Sequence, residues 1–180
     1  MDERRAYFRI SDMAFAMAAP WDNHQESIQE YFPKLRALVM QYEIDNIDKE
    51  SRDLYFKIDD DVLKELVHNQ NRKLELMSRY LAAYELSDQS IMPQQISIGE
   101  GGANFESHLD LNVGMDIAVA VVFTPSYLPV FAKANIVSID NEGGQHPIIH
   151  CEFYPFPEKT RQSLMQHLLK QQTLGRSPHN

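Results

Sequence analysis

The sequence predicts an α+β fold: a small antiparallel β-barrel with a C-terminal helix, interrupted by a long, inserted, coiled-coil-like helical segment. Two observations carry most of that. From about Asn23 to Leu86 the 180-residue chain has no glycine and is rich in Leu, Glu, Lys, Gln and Arg, all good helix formers. From about Met92 it breaks into short β-rich runs separated by Gly, Pro and Asn, the pattern of an antiparallel sheet or barrel.

The first element is a strand led by arginines. Arg4, Arg5 and Arg9 stand close together in a chain of formal net charge −9, and Tyr7, Phe8 and Ile10 carry the segment into structure. Pro20-Trp21-Asp22-Asn23 reads as a turn, with Asp22 or Asn23 placed to cap a helix. That helix has an apolar stripe through Ile28, Phe32, Leu35, Val39 and Tyr42, blemished by Pro33. A second helix is predicted from Asp59-Asp60-Asp61, acids that favour a helix N-terminus.

The second helix has the most regular pattern in the chain. Leu63, Val67, Gln70, Leu74, Met77, Leu81 and Tyr84 follow one another at alternating steps of four and three, a heptad seam. Leu63, Gln70, Met77 and Tyr84 take d positions; Val67, Leu74 and Leu81 take a positions. Leu66 and Tyr80 fall at g and widen the face. Such a helix spans about 40 Å at 1.5 Å per residue and needs a partner of similar length. The first helix is shorter and less regular, so self-association is expected. Leucine at a with an apolar g favours a tetramer first and a dimer second.

The later strands are expected around a glycine turn in Gln94–Phe105, then in Met115–Phe123, Val130–Ile139 and Ile148–Tyr154. Pro157–Leu174 closes as a helix with Leu164, Leu168 and Leu169 as its apolar face and Gly175 as its stop. The expected organisation is a barrel domain from 1–20 and 90–175, an oligomerising helical insertion over 23–87 and a tail of 176–180.

Composition excludes several classes. The acidic balance argues against binding a nucleic-acid polymer. No apolar run is long enough for a membrane span, and the lone Cys151 fits a reducing, cytoplasmic location. His150-Cys151 invites a nucleophile reading, but neighbours in a strand face opposite ways. His146 and His150 could share a face, yet no second ligand pair has metal spacing. No catalytic constellation, metal site or cofactor emerges, and the chain does not read as an enzyme.

An arginine pair before the first strand, a glycine turn between later strands, a small barrel and a closing helix resemble the PilZ domain family. Arg5-Ala6-Tyr7-Phe8-Arg9 matches its Arg-x-x-x-Arg motif. The second motif, Asp/Asn-x-Ser-x-x-Gly, is degenerate here. On the preferred register Ser97 takes the Asp/Asn place, Gly99 the serine place and Gly102 the glycine place. The other register aligns Gln95, Ser97 and Glu100. The helical insertion is one that most relatives lack. The resemblance implies a bacterial, non-catalytic receptor for cyclic di-GMP, with Arg4, Arg5, Arg9, Ser97, Gly99 and Gly102 around the ligand. Its arginines would grip guanine edges and phosphates by paired hydrogen bonds. The eroded motif implies weakened binding, and Glu100 brings a carboxylate close to a site meant for a dianion. The alternative is a degenerate domain that binds no nucleotide and serves as an oligomeric scaffold for a protein partner. Restoring the motif with Ser97→Asp and Gly99→Ser is expected to tighten binding.

Overall fold

The computed structural model describes residues 8–22, 27–86, 91–141 and 146–175; for 53, 78–86 and 174–175 it describes the backbone alone. The elements in chain order are β1 (Arg9–Pro20), α1 (Arg36–Tyr55), α2 (Asp61–Leu86), β2 (Gln94–Gly99), β3 (Gly102–Glu106), β4 (Asp116–Phe123), β5 (Pro129–Asp140), β6 (Ile148–Phe153) and α3 (Glu158–Gly175). By internal contacts the chain divides into two units: residues 1–33 with 93–180, and residues 34–92.

The first unit is a closed antiparallel barrel of order β1-β2-β3-β6-β5-β4. Its closure depends on the length of β1. Residues 9–14 of that strand pair with β2, and residues 14–20 pair with β4. Small inward residues, Ala14, Ala16 and Ala18, let the long strand bend over the core. Ile96 and Ile98, Ala103 and Phe105, Ile149 and Cys151 alternate inward from β2, β3 and β6 as period-two strands require. β4 is buried on both faces from Ile117 to Phe123, which explains its unbroken apolar run. A 3₁₀ turn at Ile28–Tyr31 lies against β4 and β5, and Phe32 stacks on Phe131 with ring centroids 6.3 Å apart.

That turn corrects the expected first helix. The α-helix starts at Arg36, not near Asn23, and Pro33 opens a second 3₁₀ turn, Pro33–Leu35. Proline fixes its own φ, lacks a backbone donor and biases the residue before it away from helix. Ile28 and Phe32 therefore serve the barrel. Asp22 accepts a hydrogen bond from the Tyr31 hydroxyl at 2.6 Å, while Asn23 lies outside the described residues.

α3 packs on β1. Leu164 and Leu168 are buried as expected, but Leu169 is 55% exposed. The position beside them is His167, whose Nε2 lies 2.7 Å from Asp12 Oδ2 and whose ring sits 4.0 Å from that of Phe123. Asp12 and Phe123 both lie on the inward face, so a polar pair stands where a third leucine was expected. The helix also runs through Gly175 and does not stop before it.

The second unit is a helical hairpin whose two helices touch. Asp60 caps α2: its carboxylate accepts from the backbone N–H of Val62 at 2.8 Å and of Leu63 at 3.1 Å. Along the expected seam, Leu63, Gln70, Leu74 and Met77 are exposed and Val67 is half-buried. The side chains of Leu81 and Tyr84 lie outside the described residues, though both belong to the helix. α1 carries a stripe of its own: Met40, Ile47 and Leu54, each seven residues from the next, are all exposed.

Candidate ligand-binding face

Arg9 and the glycine turn meet. Arg9 is the register partner of Gly99, across the β1–β2 ladder. Its guanidinium Nη1 donates to Asn104 Oδ1 at 2.7 Å, on the next strand over. Behind this pair runs a polar row on the outer surface, Ser11 opposite Ser97, Ser97 opposite Asn104, and Asn104 opposite His150. Arg4 and Arg5 lie outside the described residues.

Each glycine of the hairpin has a steric reason. Gly99 and Gly102 pair across the two-residue turn Glu100-Gly101. A Cβ on Gly99 would stand 2.5 Å from the Phe8 carbonyl oxygen and 2.9 Å from Arg9 Cγ. A Cβ on Gly102 would overlap the Cys151 carbonyl oxygen on β6. Close backbone approach therefore requires both residues. Ser97, Gly99 and Gly102 all face outward, as does Gln95 of the other register. The same geometry corrects the expected repair: serine at 99 would push against Phe8 and Arg9, the residues it was meant to assist.

Glu100 is occupied. Its Oε1 lies 3.1 Å from Nη1 of Arg161 on α3, and Arg161 Nε lies 3.3 Å from Glu158 Oε2. Neither Asn104 nor Arg161 was expected at this face. Asn104 was legible, because outward positions alternate from Gly102. Arg161 had no local signal, since only the barrel fold brings α3 to the turn.

The histidine and cysteine singled out by sequence lie on opposite faces of β6. Cys151 points into the core and its thiol donates weakly to the Ala103 carbonyl at 3.4 Å. Burial pushes that thiol up to about 11, so it stays protonated at neutral pH. His150 faces the other way. His146 packs its ring 3.8 Å from that of His108, and no group of three or more metal-ligating residues is found among the described residues. No helix among them is long and apolar enough to cross a membrane.

No family model and no curated protein matches the chain. A solved structure does: a protein from Xanthomonas campestris described as a new tetrameric PilZ domain self-assembled via an unusual helical bundle. It superposes with a TM-score of 0.64 over 96% of this chain and 92% of that one, at 12% sequence identity. The fold is PilZ-like. The match covers the inserted helices as well as the barrel, so an interrupted PilZ-type barrel has a structural counterpart. At that identity the likeness carries the architecture alone.

Proposed function

We propose that the chain is a non-catalytic PilZ-type signalling protein that binds cyclic di-GMP weakly on its barrel face and self-assembles through its helical hairpin. The observation that supports ligand binding is the meeting of Arg9 with the Gly99–Gly102 turn. A guanidinium stands beside the turn, at the end of an outward row of polar side chains. Arg5 would complete the arginine motif. Ser97, Asn104 and His150 offer polar contacts along the same row.

The weakness follows from the same geometry. Gly99 offers no hydroxyl where the family pattern has serine. A missing hydrogen bond to a charged partner costs about 1–3 kcal/mol, or one to two factors of ten in affinity. Arg9 must also leave Asn104 or share it. Calorimetric titration with cyclic di-GMP tests the proposal. Binding is expected, weakened by salt and lost in Arg5→Ala and Arg9→Ala. Equal binding by both variants would place the ligand elsewhere.

One observation favours the second reading, a scaffold that binds no nucleotide. The serine position is a glycine that cannot grow a side chain, so the motif is closed to repair by substitution. For assembly, the exposed heptads of α2 support a tetramer formed by helix packing. The fold match has a tetrameric bundle of its own.

A further inference from the structure

The glycine turn is bracketed from two sides by arginine. Arg9 approaches from β1, opposite Gly99. Arg161 approaches from α3 and is held on Glu100, the residue that follows Gly99. Arg161 is 52% exposed and Glu100 26%. The ion pair therefore lies at the protein surface, on the edge of the face where the ligand is proposed to sit. A surface pair of this kind contributes little to stability. Its position matters more than its strength.

We propose that Arg161 is a further phosphate-binding arginine of this face, and that Glu100 is its built-in competitor. The inference rests on the reading of the face as a cyclic di-GMP site. A guanidinium fork matches a carboxylate and a phosphate diester equally well. In the free protein the fork is taken by Glu100. Glu158, three residues back on the same helix, holds Arg161 Nε at 3.3 Å and keeps the side chain at the turn when Glu100 lets go. Glu100 sits in a two-residue turn, so its Cα cannot move far. A phosphate arriving at the turn must displace its carboxylate from Arg161. The family pattern loses a serine at Gly99; an arginine from α3 makes up part of that loss, and the glutamate sets the threshold.

The alternative is a staple that only ties α3 to the hairpin. Calorimetric titration of the full chain with cyclic di-GMP separates the two. Glu100→Gln keeps the shape and removes the charge. It is expected to tighten binding by about tenfold, since hydrogen bonds to charged groups carry about one to two factors of ten. Arg161→Ala is expected to weaken binding by a similar factor. Combining the two should give no tightening over Arg161→Ala, because the competitor acts through the arginine. Wild-type affinity in Glu100→Gln and Arg161→Ala, with binding lost in Arg9→Ala, would overturn the inference and leave the binding face intact. A staple would also lower the melting temperature of both variants while leaving affinity alone. Absence of heat from wild type and from Glu100→Gln at high micromolar ligand would overturn the binding face and this inference together.

Discussion

The barrel and the helical hairpin treat their apolar residues in opposite ways. Ile98, Phe105, Ile149 and Ile136 are each no more than 1% exposed within a single chain. In the hairpin, Ile47 is 61% exposed and Leu74 62%. The barrel buries its own surface and is complete alone. The hairpin is patterned to be buried, at heptad spacing on both helices, yet one chain leaves that pattern in water. Burying a leucine contributes about 1.5–3 kcal/mol, which a second copy can supply. The fold thus holds two kinds of surface: a barrel that buries its own apolar residues, and helices that leave theirs exposed.

The sharpest way to break this contrast is charge in the seam. Leu74→Asp with Leu81→Asp should dissociate the assembly, since burying an unpaired carboxylate costs several kcal/mol or more. Light scattering should show a smaller species while barrel β-structure persists by circular dichroism. Ile47→Asp asks whether α1 shares the seam; dissociation is expected there too, with a smaller shift for one charge per chain.

The barrel should fail in the opposite way. Phe105→Ala removes a fully buried ring and should cost about 3–5 kcal/mol, read by urea unfolding of the barrel. Gly102→Ala forces a methyl onto the Cys151 carbonyl and should cost about 1–3 kcal/mol. Gly99→Ser should loosen the start of β1 against β2 and weaken cyclic di-GMP binding rather than tighten it.

The smallest effect is at high pH. Cys151 has its value raised from 9.0 to about 11 by burial. A raised folded value means the native state holds the proton more tightly. The resulting stability is fully present below pH 9 and is lost as pH rises towards 11. A thiol reagent at pH 8 should label Cys151 slowly in the native protein and quickly in urea. Rapid native labelling would mean the core around β3 and β6 is open.

Much of this was legible in sequence because the signals were local. Period-two runs marked the strands, and step-four-and-three spacing marked α2. Arg9 and the glycine turn both stood out in the sequence, and the barrel sets Arg9 opposite Gly99. What escaped depended on contacts between distant segments. The Ile28–Phe32 stripe has helical spacing, but Phe131 claims Phe32 for the barrel, and Pro33 ends the pattern. His167 is polar and carries no local sign of burial; Asp12, 155 residues away, makes that burial tolerable. The crowding at Gly99 comes from the Phe8 backbone, which no residue pattern reports. The stripe on α1 was present in the letters, at Met40, Ile47 and Leu54.

The division between a complete barrel and an incomplete hairpin is tested most directly by multi-angle light scattering of the wild-type chain at tens of micromolar. A mass four times that of the chain is predicted, with a twofold mass as the next supported outcome. A monomer at that concentration would contradict it, because the heptads of α1 and α2 would then remain in water with nothing to bury them.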